Sequence, residues 1–241
     1  MRLDAHVHLS LFPAREQLLS ALLSSKLMPL AVSCSLEDAQ VNLELAQKIP
    51  FNFLVGIHPW YAKSSYFDER AFVDILNKPS CLGIGECGLD SKCADDIQIP
   101  LLERQLDLAL KYQVPVSLHV YKKHGELIAL LRKYQGKISG MIHGFYSSQA
   151  IAKSYLDLGL YLSFGRTLIQ ERSKIPALLN FIPQDRILVE SDADFKNNRP
   201  YDMALAAKQY ALLANHLKLD MKACEDLLYN NFCTLFLRKK L

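Results

Sequence analysis

Eight short runs rich in Val, Ile and Leu recur along the 241-residue chain, each parted from the next by a stretch with apolar residues at helical spacing. They cover residues 3–8, 30–34, 52–57, 82–86, 116–119, 138–142, 160–164 and 187–190. Their near-continuous apolar character predicts strands buried on both faces, as in a parallel sheet. Between them, Leu18, Leu19, Leu22 and Leu23, then Leu101, Leu102, Leu106, Leu108 and Ala109, then Leu127, Ile128, Leu130 and Leu131 repeat as on one helical face. Ser35, with Asp38 three residues on, and Ser147 or Ser148 stand where helix caps belong. Pro50, Pro79, Pro115 and Pro183 fall between a helix and the next strand. The reading is an α/β TIM (β/α)8 barrel, a single domain over residues 1–241. An open doubly wound sheet is the runner-up, but histidines stand where its Gly-rich phosphate turn would follow the first strand. Beyond the eighth strand, helical stretches at about 202–217 and 221–229 and a last apolar run at 232–237 are expected to close the bottom or flank of the barrel.

Composition excludes several classes. The net charge of +3 is too small for a polybasic surface, so an anionic partner must be met by a local patch. No apolar run reaches the roughly 20 residues of a membrane span, and the start does not resemble a signal peptide, so a cytoplasmic protein with no membrane partner is expected. Six cysteines without a CxxC pair fit reduced, mostly buried thiols. Cys87 stands apart because it adjoins Glu86 and could face a site.

Ligand-type residues close these runs and do not open them. His6-Val7-His8 sets two imidazoles two residues apart, on one side of a strand, with Asp4 a further two upstream as a carboxylate able to orient an imidazole. Glu86 and His119 end the fourth and fifth runs, and His143 and Asp192 follow the sixth and eighth. A parallel barrel gathers such ends on one face, which predicts one polynuclear metal site of His6, His8, Glu86, His119, His143 and Asp192. His58 ends the third run as a residue that binds or polarises substrate, and Trp60 and Tyr61 behind it can stack on a nucleobase or form a lid. His124 and His216 fall on helices and read as structural.

The segments DAHVH, GIHPW, GIGECGLD, PVSLHV, IHGF and VESDAD, in this order, resemble the TatD family of metal-dependent deoxyribonucleases, within the amidohydrolase-like barrels. The tail from Asn230 to Phe236 is similar to that family's closing N-x-x-x-L-F stretch. The resemblance implies that His6, His8, Glu86 and Asp192 hold one divalent ion and that Glu86, His119 and His143 hold a second, with Glu86 as the bridge. It implies a hydrolase of phosphodiester bonds in DNA or a smaller molecule, using two cations and an activated hydroxide; the resemblance implies Mg or Mn, while the imidazole-rich shell itself suits Zn. Asp192 would orient the hydroxide and relay a proton, and His58 would stabilise phosphoryl oxygens. A monomer is favoured.

Three departures concern the substrate side. His119-Val120-Tyr121 stands where the family has His-x-Arg, Ser191-Asp192-Ala193-Asp194 lacks the usual Pro after the catalytic Asp, and Ser10 replaces an Asp or Asn. Lys122, Lys123, Arg166, Lys196 or Arg199 could supply the missing cation, and Trp60, Lys122, Arg166 and Arg199 are the substrate-binding candidates. Two other readings compete: hydrolysis of a small cyclic amide or ester by an amidohydrolase, and a metal-binding barrel without catalysis.

Overall fold

The computed structural model describes residues 1–63, 67–170, 173–195 and 199–237. Its strands are β1 (Arg2–Val7), β2 (Leu27–Ala31), β3 (Asn52–Val55), β4 (Cys81–Asp90), β5 (Val116–Tyr121), β6 (Gly140–Ile142), β7 (Tyr161–Phe164) and β8 (Ile187–Val189). All are parallel and pair in sequence order, β1 to β8, in one eight-stranded sheet. Helices α1 (Arg15–Ser24), α2 (Leu36–Lys48), α3 (Glu69–Leu76), α4 (Asp95–Tyr112), α5 (His124–Lys133), α6 (Gln149–Asp157) and α7 (Ile175–Leu179) fill the crossovers, and α8 (Met203–Leu217) and α9 (Met221–Phe236) follow β8. This is the (β/α)8 barrel the periodicity predicts, with each strand buried by its helices outside and by its neighbours inside. Among the described residues no helix is long and apolar enough to cross a membrane.

Local chemistry explains the helix starts. Ser35 accepts from the Asp38 amide while the Asp38 carboxylate accepts from the Cys34 amide, so each end of the α2 cap satisfies the other. Ser148, rather than Ser147, caps α6 by accepting from the Ile151 amide.

β2 and β4 depart furthest from the expected runs, while β3, β5 and β6 differ by two residues at one end. β2 begins at Leu27 and ends at Ala31, three residues ahead of the 30–34 expectation, because pairing of Arg2 with Leu27 sets its register and carries Pro29 into the strand. β4 runs on to Asp90, four residues past Glu86, because β5 also extends to Tyr121 and the two stay paired through Gly88 with His119 and Asp90 with Tyr121. Gly88 permits that approach: a Cβ there would lie 1.9 Å from the His119 carbonyl oxygen. The last two apolar stretches form one helix, α9.

The barrel closes between β8 and β1 by a seam made mostly of side chains. Val7 and Ala193 form a lone parallel bridge, the His8 amide donates to the Ala193 carbonyl, and the Asp192 amide donates to the His6 carbonyl. Below them the buried Asp4 carboxylate accepts from the Ser191 amide at 2.8 Å, the Ser191 hydroxyl at 2.6 Å and the Tyr201 hydroxyl at 2.7 Å. Asp4 therefore stitches the seam and touches no imidazole, which corrects its expected role. α8 and α9 cover the opposite end: the Tyr210 hydroxyl bonds both backbone groups of Leu3, and the Asn231 side chain donates to the Gln184 and Ile187 carbonyls.

Candidate metal centre

Strand irregularities aim the ligand-type side chains inward. Asp4 pairs with Pro29 and Val7 with Ala31, so β1 advances three residues while β2 advances two; β4 does the same from Ile84 to Cys87 against Val116 to Leu118. An extra residue of this kind re-aims neighbouring side chains, and the two stretches hold His6 and Glu86. His8 and His143 follow directly after β1 and β6, and His119 lies within β5. Asp192 follows β8 in the left-handed region at φ 49°, a conformation Asp tolerates better than most residues.

Glu86 lies at the centre, and its two oxygens face different imidazoles. Oε2 is 3.3 Å from His6 Nε2 and 3.3 Å from His8 Nε2, and the same two nitrogens lie 3.8 and 3.4 Å from Asp192 Oδ1. Oε1 is 2.8 Å from His143 Nε2, 2.9 Å from His119 Nδ1 and 3.5 Å from His58 Nε2. Among the described residues three overlapping sets of His and carboxylate atoms are close enough to share an ion: His6, His143 and Asp192; His6, His8 and Glu86; and His58, Glu86 and His119.

A further set of groups fixes the rings from behind. His6 Nδ1 lies 3.1 Å from the Ser117 hydroxyl and His8 Nδ1 3.5 Å from the Cys34 sulfur. His119 Nε2 meets Asp90 Oδ2 at 3.2 Å and His143 Nδ1 lies 3.4 Å from Glu190 Oε1. A proton on His119 Nε2 directed at Asp90 leaves the Nδ1 lone pair for the centre. His58 is held the other way: its Nδ1 accepts from the Trp60 amide at 3.1 Å, so its neutral ring carries the proton on Nε2 and presents a donor. Asp90, Glu190, Cys34 and Ser117 were not among the sequence candidates. Asp90 ends an apolar stretch that continues past Glu86, and Cys34 and Glu190 end the second and eighth runs, so these three carried a usable signal.

The electrostatics call for positive charge. Burial raises the Glu86 carboxyl, yet His143, His58, His6 and His119 more than offset this and hold it well below the usual carboxylate range. Burial also lowers His143, but Glu86 and Glu190 raise it well above the usual value, and Asp192 and Cys34 do the same for His8 against its burial. Asp192 is held far below its usual value because His8, His143 and His6 outweigh desolvation, although 45 % of its side chain is open to the mouth. His58 is pushed down to about 3, chiefly by burial. Among the described residues His6 Nε2 is buried without a well-formed hydrogen bond while facing two carboxylates. These imidazole nitrogens and anionic oxygens crowd within a few Å, the donor set of a divalent-cation site, and the protons that His8 and His143 hold against Glu86, Asp192 and Glu190 are those a cation would displace, so the residues present fit divalent cations.

The other candidates divide. Trp60 and Tyr61 line the same cavity of about 130 Å³ as His8, Cys34, His58, Glu86, His119, His143, Asp192 and Asp194. Lys122, Arg166 and Arg199 are exposed and do not line it, Lys123 is engaged by Asp95 and Glu126, and Lys196 lies outside the described residues. Cys87 is fully buried in the apolar core, so Cys34 is the cysteine of the site. His124 pairs with the Tyr155 hydroxyl, away from the centre. A larger cavity, about 610 Å³, opens at the opposite end of the strands beside Cys81, Pro115, Tyr161 and the end of α9, and among the described residues no imidazole or carboxylate lines it.

Known proteins resemble this chain in sequence and fold. A family model described as TatD related DNase matches residues 3–237. The 3'-5' ssDNA/RNA exonuclease TatD of Salmonella typhimurium is 29% identical over 174 residues, 69% of this chain and 67% of that protein. The 3'-5' ssDNA/RNA exonuclease TatD of Edwardsiella piscicida is 35% identical over 173 residues, 66% of this chain and 64% of that protein. The crystal structure of YJJV, a TatD homologue of Escherichia coli K12, superposes with a TM-score of 0.85 at 25% identity, covering 99% of this chain and 98% of that one.

Proposed function

The chain belongs to the family of TatD-related DNases, and from that premise we propose that it hydrolyses phosphodiester bonds at the end of single-stranded nucleic acid, with two divalent cations (Mg, Mn or Zn) held across Glu86. The observation that carries this reading is the division of Glu86: Oε2 faces His6 and His8, and Oε1 faces His119 and His143. Asp192 completes the first set through Oδ1. When bound, such cations lower the pKa of water and draw charge from the phosphoryl oxygens.

The chain's own residues supply the rest. Asp192 stays ionised at neutral pH and keeps part of its carboxylate open to the cavity, so it can orient the attacking water and take its proton. His58 offers Nε2–H to a phosphoryl oxygen, since its other nitrogen is occupied by the Trp60 amide. That proton placement keeps His58 out of the ligand set despite its nearness to Glu86. The small cavity favours a strand end over the side of a duplex, in keeping with the single-stranded substrates in the names of the two exonucleases.

The test is Glu86→Ala. Turnover of a single-stranded oligonucleotide and bound metal, the latter counted by elemental analysis, should fall together. Full activity, or full metal content, would refute the bridging role. Turnover of lactones or cyclic amides with none on DNA would move the assignment to the amidohydrolase alternative.

A further inference from the structure

Beyond Glu86 the paired extensions of β4 and β5 build a second feature at the edge of the mouth. Asp90 pairs with Tyr121, and the Ser91 amide donates to the Tyr121 carbonyl, so the turn after β4 sets Lys92 beside Tyr121. The Asp90 carboxylate organises this turn. Oδ1 accepts from the Lys92 amide at 2.8 Å, and Oδ2 accepts from the Trp60 indole N–H at 2.7 Å while also meeting His119 Nε2. One buried carboxylate thus ties a candidate metal ligand to an aromatic ring and to the backbone beneath a lysine.

The Lys92 ammonium lies 5.3 Å from the Trp60 ring centroid and 5.5 Å from that of Tyr121. Among the described residues it meets those two rings and no carboxylate. Both rings remain open, 46 % exposed for Trp60 and 42 % for Tyr121. The Trp60 ring is 4.9 Å from that of His58, so this surface is continuous with the metal centre.

We propose that Trp60, Tyr121 and Lys92 form a nucleotide clamp, in which the rings stack on the base next to the scissile phosphodiester and the Lys92 ammonium meets its phosphate. The clamp rests on the phosphodiesterase reading and deepens it. A base is flat and apolar on its faces and carries an anionic phosphate a few Å away, and two open rings with a cation between them complement that pattern. Lys92 also supplies the positive charge that Tyr121 cannot, and a lysine serves a phosphate as a point charge. Lys122 also lies 5.3 Å from the Tyr121 ring centroid, but Lys92 is the lysine that reaches Trp60 as well, the ring of the pair that lines the cavity.

Trp60 is the sole tryptophan of the chain, so its fluorescence reports the clamp directly. The full chain, with cation, is titrated with a phosphorothioate-linked single-stranded DNA oligomer, and with the same oligomer lacking one base near its end. The intact oligomer should quench Trp60, and removal of one particular terminal base should abolish the quench. Tyr121→Ala should weaken binding and raise KM about tenfold with kcat held within about twofold, while Tyr121→Phe stays near wild type. Lys92→Ala should reduce the salt slope of log K by about 0.7, the value for one phosphate on a single strand. Metal-dependent cleavage without any Trp60 quench at saturation, judged by anisotropy, overturns the clamp alone. Absence of cleavage under every cation overturns the phosphodiesterase reading beneath it.

Discussion

At the scale of single residues, function rests on which nitrogen of each imidazole is committed elsewhere. His58 and His119 both approach Glu86 Oε1, yet the Trp60 amide makes one a donor and Asp90 makes the other a lone pair. His58→Ala should therefore lower kcat about 10²- to 10³-fold, the effect of losing one oriented donor, with metal content unchanged by elemental analysis. Asp90→Asn removes the charge that orients His119 and should weaken metal binding about 10- to 100-fold by calorimetric titration. An unaltered affinity would show that His119 is positioned without Asp90. His6, His8, Glu86, His119, His143 and Asp192 were legible because each is a polar residue closing or following an apolar run. Asp90, Glu190 and Cys34 also end apolar stretches, but their role was not legible, because a residue that orients a ring is recognised only by the ring it touches. Lys92 was hidden for the same reason: in sequence it is one of many solvated lysines, and only the approach of β3, β4 and β5 sets it between two rings.

The secondary-structure elements show where periodicity suffices and where it fails. β3, β5, β7 and β8 begin within one residue of the sequence reading, since their buried runs are bounded by proline or by helical pattern. β2 and β4 differ because register with a neighbour, not local composition, decides where pairing starts and stops. The extra residues in β1 and β4 are invisible in one strand's pattern, which is why Asp4 was expected beside an imidazole and instead closes the seam. α9 runs unbroken through Asn230 and Asn231, residues of low helical propensity that lie between the two expected stretches, and Asn231 answers the carbonyls of Gln184 and Ile187 at 2.8 Å each. Asn231→Ala leaves those carbonyls without their donor and should cost about 1–3 kcal/mol in denaturant unfolding. A change under a few tenths of that would mean that water replaces the side chain there.

For the molecule as a whole, the candidate centre draws together side chains from β1, β4, β5, β6 and the segment after β8, so bound cations would tie the barrel across its seam. Chelation by EDTA should lower the melting temperature, and cation at about 100 times Kd should restore about 2.7 kcal/mol. The effect has a predictable sign with pH. His8 and His143, raised by neighbouring carboxylates, hold protons that a cation must displace, so binding releases protons and weakens as pH falls. The EDTA-sensitive part of the melting temperature should therefore shrink between about pH 7 and pH 5. An EDTA shift that grew on acidification would contradict imidazole ligation.

By itself the sequence determined the barrel and the identity of its polar centre, because alternating strand and helix periods admit few topologies and parallel strands bring their ends to one face. Tertiary structure alone decided how the two oxygens of Glu86 are shared, which nitrogen each histidine offers, and that Asp4 serves the seam while Asp90 serves the site. Those outcomes depend on register, on one extra residue in each of two strands, and on contacts between residues tens to hundreds of positions apart. Periodicity along one chain carries no record of such distances.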